Sequence, residues 1–92
     1  MPQLLEGKTA LILGVANRWS LAYAIAEAFR REGARLILTY QGERQKPTVD
    51  ELGSSLGAAR VLNCDVTSDD ELAELSRTLE EEGHIDSVVH SI

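Results

Sequence analysis

The stretch Leu11-Ile12-Leu13-Gly14-Val15-Ala16-Asn17-Arg18-Trp19-Ser20-Leu21-Ala22 constrains the fold more than any other. From residue 8 to residue 14 the chain is apolar without strict alternation, as a strand covered on both faces would be. Gly14 permits a sharp turn and a close approach of the backbone to a ligand. Ser20 is a natural N-cap for the helix that follows, whose apolar stripe is Ala22, Ile25, Ala26 and Phe29. A strand, a glycine turn and a helix N-terminus in that order make an anion site. First-turn N–H groups have no partner inside the helix, and the dipole is positive there.

The rest of the chain repeats the alternation of strand and helix. Gly33 stops the first helix, and residues 35–40, centred on Leu36-Ile37-Leu38, read as a second strand. The polar segment 41–46 leads to Pro47, which suits the first turn of a helix whose apolar face is Val49, Leu52 and Leu56. Gly53 lies inside that helix and is expected to weaken it by ~1 kcal/mol relative to alanine. Residues 59–64 form the third strand. Ser68 and Glu71 have the spacing of a capping box, with the serine capping the helix and the glutamate returning the bond. Leu72, Leu75 and Leu79 give that helix a buried stripe, and Glu80-Glu81-Glu82 reads as a solvated, fraying end that opposes the dipole. Residues 85–92 are the fourth strand. The pattern βαβαβαβ implies parallel strands joined by right-handed crossovers.

Composition excludes several functions. The net charge of −6 argues against a nucleic-acid surface. One cysteine, Cys64, allows no intrachain disulfide and reads as a buried, inert thiol. With two histidines besides, the chain lacks a structural zinc set. No apolar run approaches the ~20 residues of a membrane span. The first residues lack a signal-peptide pattern, so the expected location is cytoplasmic.

Four segments then carry a resemblance: Gly14-x5-Ser20-Leu21-Ala22, Tyr40-Gln41-Gly42-Glu43, Cys64-Asp65-Val66 and Val89-His90-Ser91-Ile92. Together, in order and correctly spaced, they resemble the N-terminal third of bacterial-type enoyl-acyl-carrier-protein reductases, members of the short-chain dehydrogenase/reductase superfamily. The resemblance implies a Rossmann-like α/β fold with strand order 3-2-1-4, of which residues 1–92 are the N-terminal dinucleotide-binding part and the remainder of the domain is missing. It implies an NAD(P)H-dependent oxidoreductase of fatty acid biosynthesis, which reduces the trans-2 double bond of an enoyl thioester carried on acyl carrier protein. A homotetramer is implied for the full-length protein.

The cofactor-binding residues carried over are Gly14, Ser20, Leu21, Gln41, Asp65, Val66 and Ile92. Gly14 would approach the cofactor. Ser20 would offer its hydroxyl and amide to the pyrophosphate, or serve as an N-cap alone. Gln41 stands where dinucleotide folds often place an acid on the ribose. That substitution is compatible with NADH and removes a barrier to NADPH, for which Arg44 or Lys46 would be the partner. NADH is the favoured reading. Asp65 would accept from the adenine amino group, or only shape the turn before Ser68, with the Val66 backbone framing the ring. Ile92 would meet the ribose–nicotinamide side. Trp19 is unusual for the family and packs over the cofactor or marks an open loop. His90 reads as partly buried and structural, His84 as surface.

The family's chemistry needs a tyrosine followed by a lysine, and neither Tyr23 nor Tyr40 has that spacing. The chain itself is therefore expected to hold no catalytic residue and to be inactive alone. Rival readings are a 3-oxoacyl reductase or another short-chain dehydrogenase, against which the Gly14-x5-Ser20 loop counts. A methyltransferase is disfavoured by Gln41. A non-catalytic nucleotide-binding or assembly module remains the alternative outside enzymes.

Overall fold

The structure, a computed structural model, describes residues 4–17 and 19–90. In chain order the elements are β1 (Thr9–Leu13), α1 (Leu21–Arg31), β2 (Arg35–Tyr40), α2 (Lys46–Leu56), β3 (Arg60–Asn63), α3 (Asp69–Glu82) and β4 (Ser87–His90), with a 3-10 turn, Glu43–Gln45, leading into α2. The strands form one sheet in the order β3-β2-β1-β4, every adjacent pair parallel. This is the expected 3-2-1-4 order. Leu11 stands opposite Ile37 on one side and Val88 on the other.

Side chains of β1 alternate between two apolar layers. Ala10 and Ile12 join Leu36 and Leu38 of β2 beneath Ala22 and Ala26 of α1 and Val49 of α2. Leu11 and Leu13 join Ile37 and Cys64 beneath Leu75 of α3. Two helices thus cover one face and the third covers the other. Ala22 and Ala26 of α1 are fully buried, so small side chains let this helix lie close to the sheet. Cys64 is buried, and its burial pushes the thiol pKa up, in keeping with an inert role.

Three expectations are corrected by tertiary contacts. Leu72 is 38% exposed, because the cluster beneath α3 holds Leu75 and Leu79 and does not extend to it. Helical spacing sets a face, whereas burial requires an opposing element. The Glu80–Glu82 end is not wholly solvated: the Glu82 side chain is only 6% exposed. Its carboxylate accepts from Arg35 Nη2 at 2.6 Å and from Arg60 Nε, tying the end of α3 to the first residues of β2 and β3. Two guanidinium groups therefore offset the unfavourable dipole at that helix end. Gly53, finally, is a packing residue: a Cβ there would run into the Cγ2 methyl of Val61 on β3.

Gly53→Ala should therefore destabilise the fold by ~1–3 kcal/mol through overpacking, where helix propensity alone predicts a gain of ~1 kcal/mol. Denaturant unfolding gives the sign, and a gain would refute the packing role. The Arg35 hydrogen bond, seconded by Arg60, holds the Glu82 carboxyl below its ordinary pKa of 4.5. Its stabilising contribution is thus complete above about pH 4.5 and lost as pH falls through the lowered value. The difference in unfolding midpoint between the native chain and Glu82→Gln should shrink on acidification below that pH. A difference that stays constant would remove Glu82 from the acid response.

Candidate functional site at the carboxyl ends of the strands

In a parallel sheet the loops that leave the strands gather along one edge, and here they carry most of the residues singled out by sequence. Gly14 follows β1, Gln41 follows β2, and Asp65 comes two residues after the end of β3. Backbone pairing continues briefly past the strands: Val15 N–H donates to Thr39 O and Cys64 N–H to Tyr40 O. The three loops are thereby held side by side. Gly14 adopts φ +90°, a conformation that disfavours any side chain, so the turn needs this residue.

The loop between Gly14 and α1 is folded around Asn17. Asn17 Oδ1 accepts the Trp19 N–H at 2.8 Å, and the Asn17 carbonyl accepts the Ser20 hydroxyl proton at 2.8 Å. Ser20 Oγ in turn accepts the Tyr23 N–H at 3.2 Å, so Ser20 is the N-cap of α1. Its single proton is already engaged, and a phosphate would have to compete with the Asn17 carbonyl for it. The first-turn amides of Leu21 and Ala22 are those for which a helix supplies no acceptor. The Leu21 side chain is 69% exposed and the Trp19 indole 79% exposed on the same approach. Arg18 lies outside the described residues.

At the second loop, Gln41 is exposed, and Gly42 N–H donates to Asn63 Oδ1 at 3.2 Å, which fastens the turn to the end of β3. Lys46, a candidate partner for a ribose phosphate, is paired with Asp50 one helical turn on, at 2.7 Å. That hydrogen bond is the main reason its pKa is raised. Arg44 is exposed in the 3-10 turn.

The third loop is the most highly ordered by side chains. Asp65 Oδ1 accepts both the Thr67 N–H at 2.9 Å and the Thr67 hydroxyl at 2.6 Å. These bonds, the hydroxyl's first, hold the Asp65 carboxyl below its ordinary pKa. Ser68 caps α3 through the Glu71 N–H. The return bond of the expected capping box goes elsewhere: Ser68 N–H is taken by Asp65 O, and Glu71 Oε1 accepts the Asp65 N–H at 3.2 Å. The partly buried Val66 packs against the α3-side core.

Ser91 and Ile92 lie outside the described residues, so the fourth strand contributes no described site residue. His90 is exposed rather than partly buried, and His84 is at the surface with an ion pair to Asp86. Tyr23 is half-buried in α1 and Tyr40 is buried in β2. Among the described residues no cluster could hold a metal ion, and no helix is long and apolar enough to cross a membrane. Asn17, Asn63 and Thr67 support the loops and were not singled out by sequence; Glu71 was, but as a capping residue for α3. Asn17 and Thr67 had a local signal, a side-chain turn spanning two residues.

Residues 14–92 match the family model described as enoyl-(acyl carrier protein) reductase. The enoyl-[acyl-carrier-protein] reductase [NADH] of Aquifex aeolicus is 48% identical over 90 residues, covering 97% of this chain and 33% of that protein. Among solved structures, the enoyl-(acyl-carrier-protein) reductase of Anaplasma phagocytophilum in complex with NAD superposes with a TM-score of 0.90 at 43% identity, over 98% of this chain and 35% of that one. The Bacillus cereus enoyl-acyl carrier protein reductase with NADP+ and an indole naphthyridinone gives a TM-score of 0.89 at 45% identity, over 94% of this chain and 35% of that one. The chain spans about a third of the length of the curated relatives it matches.

Replacing Ser20 by alanine should cost ~0.5–2 kcal/mol of stability through loss of the cap, with Ser20→Thr retaining most of it. Thermal unfolding of the two variants distinguishes this from a hydroxyl that serves a ligand alone, for which neither would move the midpoint.

Proposed function

The chain belongs to the enoyl-(acyl carrier protein) reductase family, and from that premise we propose that residues 1–92 are the dinucleotide-binding N-terminal part of a single Rossmann domain. The observation that carries this reading is the alignment of Gly14, Gln41 and Asp65 along one edge of the parallel sheet, beside the N-terminus of α1. Their chemistry matches the parts of a dinucleotide. Gly14 leaves space at a turn no other residue would adopt comfortably, and the Leu21 and Ala22 amides offer donors to a pyrophosphate, the Ser20 amide being bonded to the Asn17 carbonyl. Gln41 can both donate to and accept from ribose hydroxyls, and the Asp65 carboxylate accepts from an adenine amino group. Val66 would frame the base through its backbone.

NADH is the proposed cofactor, with NADPH as the alternative. The Lys46–Asp50 pair favours NADH, since it occupies one of the two candidate partners for a 2′-phosphate, Arg44 being the other. The bound reduced nicotinamide would supply the hydride. The complete protein would reduce the trans-2 double bond of an enoyl thioester on acyl carrier protein, in fatty acid biosynthesis, as a cytoplasmic homotetramer. The 92 residues alone would hold the cofactor without turning it over, because Tyr40 is enclosed in β2 and Tyr23 belongs to α1.

Calorimetric titration of the complete protein with NADH and NADPH, paired with an assay of NADH oxidation on a trans-2-enoyl thioester, tests this reading. Tighter binding of NADH and enoyl-dependent oxidation are expected. Binding without oxidation would make it a nucleotide-binding module, and absence of dinucleotide binding would overturn the reading altogether.

A further inference from the structure

We infer that Thr67 and Glu71 are positioning residues for adenine recognition: they lock Asp65 so that one carboxylate oxygen faces outward to read the exocyclic amino group of the base. The inference rests on the proposed dinucleotide site and concerns how that site discriminates bases.

A carboxylate on an exposed loop ordinarily samples several rotamers, and a ligand that needs one of them must bear the cost of ordering it. Asp65 is ordered beforehand from two directions. Thr67 engages Oδ1 with two donors, its amide at 2.9 Å and its hydroxyl at 2.6 Å, which fixes the plane of the carboxylate. Among the described residues Oδ2 has no hydrogen-bond partner. From the helix side, Glu71 Oε1 takes the Asp65 N–H, while Asp65 O takes the Ser68 N–H, so the peptide groups on both sides of the Asp65 Cα are fixed. The preceding amide, Cys64 N–H, is bonded to the end of β2. The displaced return bond of the capping box thus has a reason: the first turn of α3 braces the residue that reads the base.

One oxygen saturated and the other open is a one-sided acceptor. It suits a base that presents an N–H donor and rejects one that presents a carbonyl at the same place. Adenine has the amino group there, and hypoxanthine has a carbonyl. The Thr67 hydrogen bonds also favour the ionised carboxylate, which keeps Asp65 an acceptor across the neutral range.

The probes are NADH and its deaminated analogue, nicotinamide hypoxanthine dinucleotide, titrated into the complete protein. The native protein should prefer NADH by roughly tenfold or more, the effect of one hydrogen bond to a charged group. Thr67→Val should shrink that preference several-fold while leaving affinity for the analogue unchanged, and Thr67→Ser should restore it. Glu71→Ala should act as Thr67→Val does, and Glu71→Gln, which keeps the acceptor, should not. Unchanged analogue binding separates lost positioning from lost folding. A preference that survives both Thr67→Val and Glu71→Ala overturns the inference and leaves the dinucleotide site standing. Equal binding of both dinucleotides by the native protein would overturn the assignment of Asp65 to adenine itself.

Discussion

The molecule depends on β1 being covered on both faces and flanked by parallel strands on both sides. A strand so placed cannot be joined to its neighbours by hairpins, and each connection must cross a face of the sheet. Because Ala10 and Ile12 demand cover on one face and Leu11 and Leu13 on the other, the crossovers must carry helices on both. The chain first moves outward from β1 through β2 to β3, then returns across the sheet to β4. In open α/β sheets ligands bind where the strand order reverses, and here that point lies at the carboxyl end of β1, beside Gly14. The location of the site is therefore a consequence of how one apolar strand is buried.

The two edges of the sheet are held by different forces. At the amino edge, Glu82 joins Arg35 and Arg60, while Asp86 accepts the Thr9 amide and pairs with Lys8 and His84. These contacts tie elements together through charge. At the carboxyl edge the loops are held by short-range bonds from Asn17, Asn63 and Thr67. This separation has a functional logic. Acids needed for ion pairs near the phosphate loop would repel a pyrophosphate, and cations already paired there would not be free for one. Asp65, whose carboxylate accepts from Thr67, lies on the loop proposed for the base, away from the pyrophosphate turn.

What sequence reveals about such a chain is set by the range of the interaction. Strands and helices follow from periodicity and from Gly14, Gly33 and Ser68 at their ends, and the sheet order follows from the crossover pattern. Glu82 is different: its partners lie 47 and 22 residues away, so its three-acid run resembles any solvated helix end. Gly53 likewise reads as a weak helix position until Val61 is seen against it. Leu72 has the right spacing for burial but no opposing element. In the site, Gly14, Ser20 and Asp65 are legible because turn, cap and strand end are local features. Asn63 is not, since its contact with Gly42 spans the whole of α2. Glu71 was legible as a capping residue, and only the geometry of Asp65 shows which amide it serves.

The same distinction bears on the choice between dinucleotides. An acidic side chain in place of Gln41 would exclude a 2′-phosphate by direct repulsion, a strong and local effect. Here Arg44 is exposed, and Lys46 is held only by Asp50, in an exposed pair one helical turn apart. Such pairs are weak and screened by salt, so a phosphate can draw the ammonium away. The geometry therefore supports a preference for NADH that is graded rather than absolute. The proposed discrimination by Asp65 would differ in kind. An aligned carboxylate facing a carbonyl leaves both acceptors without a proton, and no rearrangement of a flexible side chain relieves that.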